Sequence, residues 1–252
     1  MKKSAGLFWC LFGLSFVAKC DNIASPVNPQ NIGPSPGPFF LTTNGGPSVR
    51  YQQVYDGADF SRILNGPVLI NEISFSLGQG SAGPVDARLP DLQIDFSTTS
   101  KSPDLLSSKF AENIGADDTV VYSGALRLTN NFLETYGMHI FLQHPFLYDP
   151  RAGNLLLDVR NYQTLPPLPP TPPGQAWLMA ASATFGDSTS LAAANDVNSD
   201  TAVLNSGGLL TVFNVTVVPE PSPALIWGLS FAAVLGWRAL LRNARTWKTR
   251  HR

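Results

Sequence analysis

The sequence is poor in charge, in histidine and in cysteine that survives past its start. Only 14% of its 252 residues are Asp, Glu, Lys or Arg, against roughly 25% in ordinary soluble domains, and a disordered polyelectrolyte is excluded. Its two cysteines, Cys10 and Cys20, both lie in the first twenty residues. Once that segment is removed, the chain has no disulfide, no Cys-ligated metal and no Cys nucleophile. Stability must then come from a packed core, which about 180 residues are enough to supply. The 21 prolines and 21 glycines are spread along the whole chain, which excludes a coiled coil or helical bundle. Neither H-E-x-x-H nor G-x-S-x-G occurs.

The formal charge of −1 averages unlike segments. Residues 238–252 carry six bases (Arg238, Arg242, Arg245, Lys248, Arg250, Arg252) and no acid. Residues 21–218 carry 17 acids against 8 bases, a net of −9. Nucleic acid is therefore excluded as a partner of that stretch.

Both ends read as addresses. Met1-Lys2-Lys3 precedes the apolar run Ala5–Ala18, too short to span a bilayer but matching a secretory signal peptide over residues 1–20. Cleavage by signal peptidase after Cys20 leaves Ala18 and Cys20 at the two small-residue positions. Lys19 disfavours lipidation of Cys20, where a small residue is wanted. At the other end Val218-Pro219-Glu220-Pro221 leads into Pro223–Leu241, 19 residues interrupted only by Arg238. As a helix this spans roughly 28 Å at about 1.5 Å per residue, close to the thickness of a hydrocarbon core. Arg238 can snorkel, and Trp227 and Trp237 suit the two interfaces. The bases that follow, Arg242 and Arg245 among them, keep the end cytoplasmic and place the bulk of the chain outside.

This order of parts resembles the PEP-CTERM sorting signal of Gram-negative bacteria. The resemblance covers residues 217–252. It implies recognition of Pro219, Glu220 and Pro221 by an exosortase, a membrane Cys transpeptidase that cleaves nearby, and a precursor held in the cytoplasmic membrane before release to the cell surface. Two prolines keep such a segment extended and unpaired, as a protease-like groove requires. Ala239–Leu241, which separates Arg238 from the other bases, is a modest departure from the pattern.

Residues 21–38, with five prolines, read as an extended arm. From Phe39 to Val217 short alternations of apolar and polar residues are bounded by Gly, Pro, Asn or Asp: Val49–Tyr55, Ile73–Leu77, Leu92–Phe96, Val120–Leu128, Met138–Leu142, Asn154–Val159, Trp177–Ala183 and Leu209–Val218. Period 2 over such lengths predicts half-buried antiparallel strands. The fold class expected is all-β, an antiparallel two-sheet sandwich of jelly-roll or lectin-like type. Only Leu105–Glu112 looks briefly helical. Leu165–Gly174, with six prolines in residues 166–173, reads as a polyproline loop between two strands.

Motifs for chemistry are weak. Gly78–Gly83 matches G-x-G-x-x-G, but Pro84 and Pro90 deny the helix a dinucleotide site needs, so a hairpin loop is expected. His139 and His144 stand five apart, on opposite faces of a strand unless the chain bends at Pro145, and neither has a nucleophile motif. Glu72, on an outward or second face of an apolar strand, Glu134, which follows Leu133, and Asp95 and Asp158, which interrupt apolar strands, are candidates for a hydrolytic pair but read equally as solvated strand faces. Asp196, Asn198 and Asp200 open a D-x-N-x-D calcium loop, yet Thr201 replaces the turn glycine and Gly207 stands where the last acid belongs. An Asx-rich surface loop is the simpler reading, and no other cofactor is implied. Tyr51, Tyr55, Tyr162 and Trp177 suggest a sugar-stacking platform. The expectation is a non-enzymatic, exported surface or extracellular-matrix protein of structural or adhesive type, in contact with extracellular polysaccharide. The alternative is a lectin-like, calcium-assisted carbohydrate-binding module.

Overall fold

The computed structural model describes residues 20–35, 37–39, 48–63, 66–78, 85–130, 134–162, 179–182, 185–187 and 189–218. They are mostly strand, and every strand pairing is antiparallel. The elements are β1 (Cys20–Ser25), β2 (Gly33–Ser35), β3 (Val49–Tyr55), α1 (Gly57–Ser61), β4 (Val68–Phe75), β5 (Asp86–Thr99), a 3-10 turn (Phe110–Glu112), β6 (Thr119–Thr129), β7 (Met138–Tyr148), β8 (Asn154–Asn161), β9 (Met179–Ser182), β10 (Thr189–Ala194), β11 (Val203–Asn205), β12 (Gly208–Leu209) and β13 (Thr211–Val217). They form a four-stranded sheet, β1-β13-β4-β7, a six-stranded sheet, β11-β10-β3-β8-β5-β6, and a small sheet, β12-β9-β2.

Alternation sorts each strand of the four-stranded sheet into an inner and an outer row. Ile23, Phe213, Ile73 and Ile140 stand side by side across all four strands, and each is 0% exposed. Facing side chains of the six-stranded sheet meet them. Tyr55 packs edge-on against Phe213 at 4.9 Å, and Phe96 lies 5.7 Å from Phe146 and 6.3 Å from Phe213. Burying each such ring contributes about 1.5–3 kcal/mol.

The other face of the six-stranded sheet is covered at its centre. Leu106 and Phe110 pack on Val54, Leu156 and Ala192, so β3 is buried on both sides and its burial does not alternate. The helical expectation for Leu105–Glu112 reduces to the single 3-10 turn. Asp56 caps the five-residue α1, accepting from Ala58 N at 2.8 Å.

Two organisational expectations change. Residues 21–38 do not stand apart as an arm: β1 pairs along β13, and β2 pairs with β9. Cleavage after Cys20 would still leave five of the six β1 residues in place. β4 and β5, on either side of Gly78–Gly83, belong to different sheets and do not pair as a hairpin, and residues 79–83 themselves lie outside the described residues. The chain resumes after them as β5 and not as a helix, which removes the dinucleotide reading.

Candidate functional site

β4 carries a bulge that builds the site. Its inward residues are Val68 and Ile70, then Ile73 and Phe75, so the phase slips by one and both Asn71 and Glu72 point away from the core. Opposite them β7 also departs from regular pairing: Ile70 faces Phe146 while Glu72 faces Phe141. The excess residues of β7 reach toward β6, where Gln143 accepts from Ser123 N at 3.1 Å and donates to Ser123 O at 3.0 Å.

Glu72 lies against His139. The His139 Nδ1 is 2.5 Å from Glu72 Oε1 and 2.9 Å from Ser74 Oγ, and Nε2 is 2.8 Å from Glu134 Oε2. Ser74 donates to Glu72 Oε1 at 2.9 Å. Burial works against charge on the ring, but the hydrogen bonds and negative charge of Glu72 and Glu134 outweigh it and raise the His139 pKa above its ordinary value. Both ring nitrogens thus meet a carboxylate, an arrangement that favours the charged form of the imidazole. These groups border an open cleft of about 660 Å³, lined also by Tyr122, Arg127 and Phe141.

The cleft opens onto the outer face of the four-stranded sheet. One residue along from the buried row, Asn22, Asn214, Glu72 and Phe141 form a second row in direct register across β1, β13, β4 and β7. Asn214 Nδ2 donates to Asn22 Oδ1 at 2.9 Å, and Asn71 Nδ2 donates to Thr216 Oγ1 at 2.9 Å. Phe141 is 70% exposed at the end of the row. Its ring is nearly parallel to that of His139, 16° between planes and 6.4 Å between centroids.

Several expected site residues lie elsewhere. Tyr51 and Tyr55, assigned to a stacking platform, are core residues 3% and 0% exposed, with their hydroxyls bonded to Gln53 and Thr211. Tyr162 is 37% exposed, and Trp177 lies outside the described residues. The exposed aromatic on the face is Phe141, which alternation alone assigns to no particular role. Asp196 Oδ1 accepts from Asn198 N at 2.9 Å in an Asx turn, and Asp200 lends its carbonyl to Phe110 N at 3.2 Å. Among the described residues no group of three or more His, Cys, Asp or Glu could hold a metal ion. The carboxylates Asp95 and Asp158 are together, but beneath the covering segment on the six-stranded sheet, 2% exposed. Glu72 and Glu134 are brought together on one imidazole.

The sorting residues Pro219, Glu220 and Pro221, the basic flank Arg238, Arg242 and Arg245, the membrane helix 223–241, the leader before Cys20 and the proline loop 165–174 lie outside the described residues. Among the described residues no helix is long and apolar enough to cross a membrane. Comparison with protein-family models, with curated proteins and with solved structures finds no match.

Proposed function

We propose that this chain is an exported protein of structural or adhesive type, displayed at the surface or in the extracellular matrix of a Gram-negative bacterium. Its tail holds the precursor in the cytoplasmic membrane until an exosortase processes it. The single observation that carries the reading is the order of parts that follows β13 in the sequence: Pro219-Glu220-Pro221, the apolar run 223–241 and the basic end. β13 ends at Val217 between two partner strands, and Val218 N donates to Pro67 O at 3.2 Å. Pro219-Glu220-Pro221 follows at once, so clipping at the motif costs the folded part none of the strands described. A finer fold belongs to the same proposal: the two larger sheets form a sandwich of jelly-roll or lectin-like type. The shared core of Phe96, Phe146 and Phe213 supports it.

Replacement of Pro219, Glu220 and Pro221 by Ala in an exosortase-bearing host tests the sorting. The unprocessed form is expected to accumulate in the membrane fraction. Unchanged mature size and location would overturn the assignment.

A further inference from the structure

We infer that the outer face of the four-stranded sheet binds a neutral, linear saccharide chain, laid across the strands along the row Asn22, Asn214, Glu72 and Phe141. The inference rests on the surface or matrix reading for where such a chain would be met.

The row runs in register over four strands, so at about 4.8 Å per strand spacing it is roughly 14 Å long. It contains two carboxamides, a carboxylate and an exposed ring. A sugar presents a C–H face and a rim of hydroxyls that both donate and accept. The negative π face of Phe141 suits the first. Amides, which donate and accept, and a carboxylate, which only accepts, suit the second.

The polar groups are held in place before any ligand arrives. Asn214 is bonded to Asn22, and Glu72 is fixed by His139 and Ser74. Little side-chain freedom remains to be lost on binding. Beside the row, the cleft of about 660 Å³ between β6 and β7 lies within the size range of small-ligand sites and is lined in part by Phe141.

Charge decides between saccharide classes. Glu72 and Glu134 stand at the face, and residues 21–218 carry a net −9. Uronate or sulfated chains are repelled, whereas a neutral chain meets no such barrier.

The test uses the full chain in a sugar-free detergent, titrated with neutral and uronate-containing oligosaccharides of one to six units and followed by saturation-transfer NMR and calorimetry. Binding of at least one neutral oligosaccharide is expected, stronger for three units than for one. Phe141→Ala and Asn214→Ala should each weaken it at least tenfold, with the thermal midpoint of the exposed Phe141 variant unchanged. Absence of binding across the panel would overturn the inference, as would affinity unaltered by Phe141→Ala or a preference for uronates. Because the measurement does not depend on tail processing, its failure leaves the sorting proposal standing, and the converse also holds.

Discussion

Asp95 on β5 and Asp158 on β8 stand directly opposite each other on the covered face of the six-stranded sheet, both 2% exposed. Their partners differ in kind. Asp158 Oδ2 accepts from Arg50 at 3.0 Å and Gln52 at 2.8 Å, with Arg160 3.5 Å away. Asp95 is bonded by the neutral amide of Gln93, at 3.0 and 2.8 Å. Burial therefore pushes the Asp95 pKa up to about 6, only partly offset by Gln93 and by the charge of Arg160.

A native carboxyl that holds its proton up to about 6, against about 3.9 unfolded, makes stability fall as pH rises through that interval. Nearby Asp118, likewise raised by burial and by Asp158, adds to the same trend. Asp95→Asn is expected to be more stable than the parent at pH 8, by on the order of 1–2 kcal/mol. The difference should vanish near pH 4. Urea unfolding at the two pH values measures it, and a variant less stable at pH 8 would refute the account.

His139 titrates in a different window. Its folded pKa is raised, so the stabilisation from the two carboxylates is full below the unfolded value of about 6.5 and is lost as pH rises through the folded value. An NMR titration of the His139 ring should give a midpoint above 6.5, and Glu134→Gln should lower it. A midpoint insensitive to that substitution would mean that Glu134 does not hold the ring in solution.

Gln53 is fully buried and bonded on every side. Its Nε2 donates to Thr189 Oγ1 at 3.0 Å and Leu209 O at 2.9 Å, and its Oε1 accepts from Leu209 N at 2.9 Å and from the Tyr51 hydroxyl. Gln53→Ala removes four buried hydrogen bonds, leaves the Leu209 N–H and the Tyr51 hydroxyl without the Gln53 oxygen, and opens a cavity, for an expected loss of about 3 kcal/mol or more. Gln143→Ala breaks two exposed bonds to Ser123 and should cost under about 1 kcal/mol. Equal losses in chemical denaturation would contradict this ordering.

Much of the fold was legible because β-branched, aromatic and alternating apolar runs bounded by turn residues favour strands. The expected segments over Val49–Tyr55, Leu92–Phe96, Val120–Leu128 and Asn154–Val159 are β3 and parts of β5, β6 and β8. β10, Thr-Ser-Leu-Ala-Ala-Ala, carries no such signal because alanine has little strand preference; there small side chains serve packing under the 3-10 segment. β1 was hidden by the prolines that follow it. The site was legible only as a phase slip, since Val68 and Ile70 keep one parity and Ile73 and Phe75 the other.

Composition, charge segregation and strand period are local properties, and by itself the sequence determined them: an all-β chain, without a thiol beyond Cys20, ending in a motif, an apolar run and a basic tail. Which residues share a row is not local. Asn22 and Asn214 are 192 positions apart and become neighbours only through the pairing of β1 with β13. Whether an aromatic is core or platform depends on which side of a paired sheet it takes. Tertiary pairing placed Tyr55 inside, against Phe213 of the other sheet, and Phe141 outside, opposite Glu72 and one residue along from the buried Ile140.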